Sequence, residues 1–257
     1  GTDSIIICGT TGEASTMTDE EHLECIRVAV EQTAGRIPVI AGTGSNDTHH
    51  GITLTKRAKE LGVDATLQVT PYYNKTTQRG LIEHFKAIGE ATDLPMILYN
   101  VPSRTGLNMT PQTVYELSKL PYVVGIKEAS GNLSQVAQIA RLCDPDFAIY
   151  SGNDDQIIPT LSLGGVGVIS VLSNVAPKQT HDMVDLYLKG DTKEALKLQL
   201  DYLPVIDALF CEVNPIPVKA AMNMMGFEVG PCRLPLTNLE SANEEKVTAV
   251  LKAAELI

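Results

Sequence analysis

Short runs of β-branched and apolar residues alternate along most of the chain with longer amphipathic stretches, and this alternation limits the fold more than any other feature. A crossover helix returns the chain to run in the same direction, so strands joined by helices pair in parallel. We therefore predict a parallel sheet covered by helices. The predicted strands are Ser4–Cys8, Pro38–Ala41, Ala65–Val69, Pro95–Tyr99, Val123–Lys127, Phe147–Tyr150 and Gly167–Val171.

Several helix ends can be recognised from their capping residues. Thr18 followed by Glu21 predicts a capping box, and the helix that it opens should stop near Gly35. Thr110 before Pro111 predicts a second helix start. After the last strand only helical patterns follow, with no Pro/Gly/Ser-rich linker. We predict a catalytic barrel over residues 1–175 and C-terminal helices packed on it over residues 176–257.

Charge and cysteine content exclude several classes of partner. The chain has 31 acidic and 20 basic side chains, a formal charge of −11. This charge repels phosphate backbones and anionic lipid, so we expect no nucleic-acid or membrane partner. The five cysteines are scattered without a Cys-x-x-Cys pair, which indicates free thiols rather than a disulfide framework or a zinc site. A signal-peptide pattern is absent, and we expect a cytoplasmic protein.

Polar residues follow five of the seven predicted strands. In a (β/α)8 barrel the carboxyl ends of all strands converge on one mouth, whereas an open doubly wound sheet spreads them along an edge. This convergence favours a (β/α)8 TIM barrel. The residues concerned are Thr10 and Thr11, Tyr72 and Tyr73, Tyr99 and Asn100, Lys127, and Ser151 to Asn153.

Lys127 is the most informative of these residues. A lysine that continues an apolar strand is partly withdrawn from water, which favours the neutral amine and allows a Schiff base with a ketone. The alternative, that Lys127 pairs with a carboxylate such as Glu128, stays open.

The other candidates also have two interpretations. Tyr72, Tyr73 and Tyr99 could relay protons or only pack. The turn Gly9–Glu13 offers amides and hydroxyls for a carboxylate, but is equally typical of a tight loop. Arg104 could bind a substrate carboxylate or simply face solvent. No histidine spacing indicates a metal site, because the adjacent His49 and His50 point apart on a helix.

Six motifs, in the same order along the chain, resemble those of the dihydrodipicolinate synthase family of pyruvate-dependent class I aldolases. The resemblance extends over essentially the whole chain. The motifs are GTTGE at Gly9–Glu13, TPYYNK at Thr70–Lys75, YNVPSRTG at Tyr99–Gly106, GIKEASGN at Gly125–Asn132, SGND at Ser151–Asp154 and NPIPVK at Asn214–Lys219.

The resemblance implies condensation of pyruvate with L-aspartate-4-semialdehyde, with an imine on Lys127 and neither metal nor organic cofactor. It implies a proton relay of Tyr99, Thr11 and Tyr73, with Tyr73 reaching into a neighbouring subunit of a homotetramer, a dimer of dimers. Thr10 and Thr11 would hold the pyruvate carboxylate, and Arg104 the carboxylate of the aldehyde. Main-chain groups of Gly152 and Ile169 would line the pocket.

Two readings compete with this activity. Sialic-acid lyases and keto-deoxy-sugar aldolases share the lysine and the tyrosine at position 99, but typically lack an arginine at position 104 and the neighbouring-subunit tyrosine. A non-catalytic, pyruvate-binding paralogue is the alternative from another class.

The resemblance also implies a lysine-binding regulatory site, at Ser15, Asp19, His22, Asn46, His50 and Tyr72. Feedback-inhibited members carry glutamate where this chain has His50, and commonly histidine or lysine where it has Asp19. We therefore expect weak or absent inhibition by lysine.

The family begins with a strand and helix before the segment that matches Gly1. We expect the sequence to be a fragment of a longer product, poorly stable and weakly active alone, because seven strands leave two sheet edges unpaired.

Overall fold

The computed structural model describes all 257 residues, and seven strands form a single sheet in it. They lie in sequence order, and every neighbouring pair is parallel. A doubly wound sheet reverses its strand order at a switch point, so the observed order rules that fold out. The fold is a (β/α)8 TIM barrel, with seven strands in this chain and C-terminal helices. The strands are β1 Ile5–Ile7, β2 Val39–Gly42, β3 Ala65–Val69, β4 Met96–Asn100, β5 Val123–Glu128, β6 Ala148–Ser151 and β7 Gly167–Val168.

Eleven α-helices and three short 3-10 turns connect and follow the strands. None of the helices combines the length and the apolar character needed to cross a bilayer. The helices are α1 Asp19–Thr33, α2 Thr48–Glu60, α3 Gln78–Thr92, α4 Pro102–Thr105, α5 Pro111–Leu117, α6 Leu133–Leu142, α7 Ile157–Ser162, α8 Pro177–Leu188, α9 Thr192–Leu209, α10 Ile216–Met224 and α11 Ser241–Ala253. The 3-10 turns are Ala14–Thr16, Asp154–Gln156 and Leu172–Asn174.

The chain divides into two compact units. The larger consists of Asp3–Gly9 and Thr18–Ile169, and it holds all seven strands with α1 to α7. The smaller consists of Gly1–Thr2, Thr10–Met17 and Ser170–Ile257. In the smaller unit α8 packs on α9, and α11 packs on both α9 and α10.

The central strand β4 is buried on both faces, as parallel strands usually are. All five residues of β4 are buried. Met96 and Leu98 belong to the cluster that the helices cover, whereas Ile97 and Tyr99 belong to a second cluster with Ile40 and Leu67 of neighbouring strands. Because successive side chains point to opposite faces, residue parity decides which of the two clusters a side chain enters.

The predicted helix starts are confirmed. Thr18 and Glu21 form the reciprocal capping box of α1, and the Thr110 side chain accepts from the Thr113 amide at the start of α5. Helix α1 ends at Thr33, and Ala34 and Gly35 then adopt left-handed backbone angles.

The strand limits differ from the predicted ones by a residue in most strands and by more in the last. β2 and β4 begin one residue after Pro38 and Pro95, since proline has no N–H to donate to a sheet. β7 covers two residues rather than Gly167–Val171. Its pairing with β6 ends where the Ile169 amide donates to the Ser151 carbonyl at 2.9 Å, and a 3-10 turn follows soon after.

Candidate active site

Lys127 lies on β5 between tyrosines of both neighbouring strands. The parallel register places Tyr99 of β4 and Tyr150 of β6 directly beside it. The Lys127 Nζ atom is 4.4 Å from the centroid of the Tyr99 ring, and that tyrosine is only 7% exposed. Burial raises the pKa of the Tyr150 hydroxyl, so it stays protonated at neutral pH. The arrangement places a half-buried amine among two phenols that can donate or accept protons.

Glu128 faces the other side of the sheet and has its own partners. Its Oε1 atom accepts from the Ser130 amide at 2.7 Å, and its Oε2 atom accepts from the Asn100 and Gln135 side chains, both at 3.0 Å. These bonds satisfy a carboxylate that is 3% exposed. The ion pair with Lys127 that the sequence left open does not form.

Asn100 connects this network to the segment that carries Arg104. Its Oδ1 atom accepts from the Met109 amide at 2.9 Å, and its Nδ2 atom donates to Asn108 Oδ1 at 2.8 Å. The last strand residue of β4 is thereby tied to the far end of the loop that contains α4. Arg104 stands exposed on this short helix, on a loop fixed at both ends.

Gly152 follows β6 where the backbone passes close to the end of β5. Its amide donates to the Glu128 carbonyl at 2.8 Å, and a Cβ atom here would lie 2.5 Å from the Ala129 Cβ. Only glycine fits without displacing the backbone. Ile169 packs against the cluster that contains Tyr99.

Thr10 and Thr11 belong to the smaller unit, in a turn that other parts of that unit hold. The Glu13 amide donates to the Thr10 carbonyl at 3.1 Å, which closes the turn. Thr11 Oγ1 accepts from Asn214 Nδ2 at 3.0 Å. Thr10 is exposed, and Thr11 is half-buried.

Glu13 anchors the end of this turn through an ion pair. Its Oε2 atom is 2.7 Å from Lys219 Nζ, and its Oε1 atom accepts from the Arg233 amide at 2.8 Å. The side chains of the pair are only 11% and 16% exposed. Burial by itself raises the pKa of Glu13, but the hydrogen bonds from Lys219 and Arg233, together with their charges, outweigh it and hold the pKa below its usual value.

Tyr73 follows β3 on a left-handed backbone and is 94% exposed. A non-glycine residue in this conformation costs about 1–3 kcal/mol. The chain's own packing gives the Tyr73 ring almost no contact in return. The ring is therefore open to contact with another molecule.

Three of the residues mapped to a regulatory site lie around α1 and α2. His50 Nε2 is 2.9 Å from Asp19 Oδ1, and His50 Nδ1 is 3.1 Å from Ser45 Oγ. His22 Nε2 is 2.8 Å from the Gly42 carbonyl, and burial lowers the pKa of His22. The structure thus pairs Asp19 directly with His50.

Of the other three residues of that set, Asn46 and Tyr72 are in contact, and Ser15 lies in the other unit. Asn46 Nδ2 donates to the Tyr72 carbonyl at 3.1 Å, which joins the end of β2 to the segment after β3. Ser15 lies in the 3-10 turn Ala14–Thr16 of the smaller unit.

Sequence reasoning missed two features of this region. Tyr150 lies on the same face of the sheet as Lys127. Its position beside Lys127 can be deduced only when the register between β5 and β6 is known. The side chains of Asn214 and Lys219 bond to Thr11 and Glu13, more than two hundred residues away. The motifs GTTGE at Gly9–Glu13 and NPIPVK at Asn214–Lys219 are both recognisable in the sequence, but neither motif indicates that its side chains contact those of the other.

A barrel with a half-buried lysine on a tyrosine-lined strand defines the class as a lyase of the aldolase type. The family model described as the Dihydrodipicolinate synthetase family matches residues 1–254, and the chain belongs to this family.

Relatives with curated names and relatives with solved structures agree with this assignment. The chain is 65% identical to the 4-hydroxy-tetrahydrodipicolinate synthase of Caldicellulosiruptor saccharolyticus, over 95% of this chain and 82% of the relative. A crystal structure of the Cyanidioschyzon merolae enzyme with lysine bound is 47% identical, with a TM-score of 0.97, covering 99% of this chain and 87% of that one. The chloride-inhibited Acinetobacter baumannii enzyme complexed with pyruvate is 45% identical, also with a TM-score of 0.97, covering 100% and 88%.

The activity is that of these relatives, the condensation of pyruvate with L-aspartate-4-semialdehyde in lysine and diaminopimelate biosynthesis. The corresponding class of enzyme is a lyase.

The ion pair of Glu13 and Lys219 leads to a prediction about stability and pH. Lys219→Met leaves the carboxylate without its main partner, and we expect the free energy of unfolding at pH 7 to fall by about 1–3 kcal/mol. The lowered pKa of Glu13 means that the wild-type pair stabilises above the unfolded value of 4.5, and that this contribution is lost as pH falls through the folded pKa. In the variant the lowering of the Glu13 pKa by Lys219 is lost, so this pKa lies above the wild-type one and the deficit should shrink between pH 7 and pH 4.

Denaturant unfolding at pH 7, 5.5 and 4 measures this deficit. Lys197→Met is the matched control, because Lys197 pairs with Asp201 at 2.8 Å on an exposed helix face. We expect the control to lose about 0.5 kcal/mol or less. A deficit for Lys219→Met that stays constant with pH contradicts the prediction.

Proposed function

We propose that the chain carries out this condensation through an imine between pyruvate and Lys127. The observation that supports the proposal is the position of Lys127 on β5, with its Nζ over the Tyr99 ring and Tyr150 on its other side. A lysine amine in this position can add to the keto carbon of a bound substrate and form a Schiff base with it. The two neighbouring tyrosines place hydroxyl groups on the same face of the sheet, where they can donate and accept protons.

The chemistry balances with one molecule of water released. The Lys127 amine adds to the keto carbon of pyruvate, and loss of water gives the imine. Removal of a proton from the methyl carbon gives an enamine, whose carbon attacks the aldehyde of L-aspartate-4-semialdehyde. The substrate's own amino group then displaces Lys127 from the imine carbon and closes the ring of 4-hydroxy-tetrahydrodipicolinate. No metal or organic cofactor is needed for these steps.

The surrounding residues supply proton transfer and binding in this proposal. Tyr99, Thr11 and Tyr73 relay the protons, because hydroxyl groups can donate and accept within one chain. Thr10 and Thr11 hold the pyruvate carboxylate through amides and hydroxyls. Main-chain groups of Gly152 and Ile169 line the pocket.

Assembly would complete the site. The exposed Tyr73 ring on its left-handed backbone suits a contact with a neighbouring subunit. We propose a homotetramer, a dimer of dimers, in which residues 1–175 carry the catalytic groups and the helices of residues 176–257 contribute to assembly. The mass of the protein in sedimentation velocity tests this arrangement.

Lys127→Ala should abolish covalent capture of pyruvate. With borohydride present, we expect the wild-type protein to gain the mass of one reduced pyruvyl group and the variant to gain none, because the imine nitrogen is missing. Lys119→Ala is the matched control, since Lys119 Nζ also lies 4.4 Å from a tyrosine centroid, that of Tyr115, but on the protein surface. Capture that survives in Lys127→Ala or disappears in Lys119→Ala would refute the mechanism.

Arg104 should matter for the aldehyde rather than for pyruvate. Its guanidinium can form two hydrogen bonds to the aldehyde's carboxylate, and loss of bonds to a charged group costs about 1.5–3 kcal/mol. We expect Arg104→Ala to lower kcat/KM for the aldehyde roughly 10- to 100-fold while pyruvate capture stays nearly normal. Arg27→Ala, on an exposed helix face, is the control.

Equal loss of pyruvate capture and turnover in Arg104→Ala would point to a structural role for the loop. It would also remove one of the two features that distinguish this enzyme from other pyruvate lyases. If the wild-type chain captures pyruvate but does not turn over the aldehyde either, the result would favour the interpretation as a different lyase or as a pyruvate-binding paralogue.

We also propose a weak response to lysine as an inhibitor. An ammonium group needs an acidic partner, and the carboxylate of Asp19 already bonds to His50. The residues that would form this site are Ser15, Asp19, His22, Asn46, His50 and Tyr72.

The charge at position 50 should set lysine sensitivity. We expect His50→Glu to lower the inhibitory lysine concentration by about tenfold, a typical coupling between two sites. His49→Glu is the matched control, because it makes the same change at the neighbouring, exposed position of α2. Wild-type inhibition by micromolar lysine would contradict the proposal, as would equal effects of the two substitutions.

A further inference from the structure

We propose that Asn214 is a positioning residue that orients the Thr11 hydroxyl for proton transfer. The inference rests on the role of Thr11 in the proposed function and goes beyond it. Asn214 Nδ2 donates to Thr11 Oγ1 at 3.0 Å, and Asn214 is only 6% exposed. A buried amide that bonds to a half-buried hydroxyl is a local constraint on that hydroxyl, whichever atoms it later meets.

The bond acts on the rotation of the threonine side chain. Threonine carries a hydroxyl and a methyl group on the same carbon, so a rotation about χ1 exchanges the positions of the two. The donated hydrogen bond favours the rotamer that directs Oγ1 toward Asn214. It also occupies one acceptor site of Oγ1 and leaves the second lone pair available to a relay. The Thr11 hydroxyl itself lies 3.5 Å from Asn214 Oδ1, a contact at the limit of hydrogen bonding that a relay partner can replace.

The segments that bear Thr11 and Asn214 are also held together without this bond. Glu13, two residues after Thr11, pairs with Lys219, five residues after Asn214. The same carboxylate accepts from the Arg233 amide, and the Arg233 guanidinium donates to the Thr16 carbonyl at 3.1 Å. Removing the Asn214 amide should therefore free the Thr11 side chain while the backbone of the turn stays in place.

A double-mutant cycle separates positioning from general structure. Asn214→Ala should lower kcat by about tenfold, with a smaller change in the KM for pyruvate, since the backbone contacts proposed to hold the carboxylate remain. Thr11→Val removes the hydroxyl and should lower kcat further. In the Thr11→Val background, Asn214→Ala should have no additional effect, because no hydroxyl is left to orient.

Asn214→Asp adds a pH signature that a structural role would not give. Ionised aspartate cannot donate to Thr11 Oγ1, whereas the protonated acid can. Relative to the wild type, the kcat of this variant should rise as pH falls toward the pKa of the new carboxyl. This variant also keeps the shape of the side chain, so it tests the inference if Asn214→Ala folds poorly.

Asn223 provides the matched control. Its side chain also bridges two segments of the smaller unit, with Nδ2 donating to the Gly230 carbonyl at 3.0 Å and Oδ1 accepting from the Gly230 amide at 3.2 Å. Asn223→Ala removes an amide that makes the same kind of bridge at an exposed position and does not touch Thr11, and we expect its kcat to match the wild type.

The outcomes distinguish this inference from the proposed function. If Thr11→Val lowers kcat, but Asn214→Ala leaves it unchanged or lowers it by the same factor in both backgrounds, the positioning role is wrong and the function stands. If Thr11→Val has wild-type kcat, the proposed role of Thr11 fails, and with it the inference. Loss of pyruvate capture in Asn223→Ala would show that any amide loss in this unit disturbs the site, and would also overturn the inference.

Discussion

The parallel register of β4, β5 and β6 is the constraint on which the site depends. It sets Tyr99, Lys127 and Tyr150 side by side, and the alternation of side chains along a strand sends all three to the same face. The same alternation sends Glu128 to the opposite face, where Asn100 and Gln135 satisfy it. A shift of one residue in β5 would exchange the amine and the carboxylate.

Polar networks hold in place the two segments that carry Arg104 and Thr11. In the larger unit, Asn100 and Glu128 fix both ends of the loop that carries Arg104. In the smaller unit, Glu13 and Lys219 hold the turn that carries Thr11. Such networks stabilise little in sum, because burying charges offsets much of their attraction. Their value is geometric, since proton transfer and imine chemistry need fixed distances.

The sequence predicted most of the fold, because its signals are local. The seven runs were strands, the Thr18 and Thr110 caps began helices, and the chain after residue 171 was helical. The limits of β7 were wrong, since β-branched residues favour a strand but only pairing makes one, and the pairing with β6 ends at Ile169. The roles of Tyr99, Thr11, Arg104 and the regulatory residues stay predictions.

By itself the sequence determined the chemistry that is possible: a lysine continuing an apolar strand, hydroxyls and an arginine after other strands, and motifs specific enough to indicate a family. Only the tertiary structure decided which groups meet. It directed Lys127 and the adjacent Glu128 to opposite faces of the sheet, placed Tyr150 beside Lys127 on the neighbouring strand, and brought Asn214 within hydrogen-bond distance of Thr11. The physical reason is that side-chain direction and strand register are properties of paired backbones, which no single segment of sequence contains.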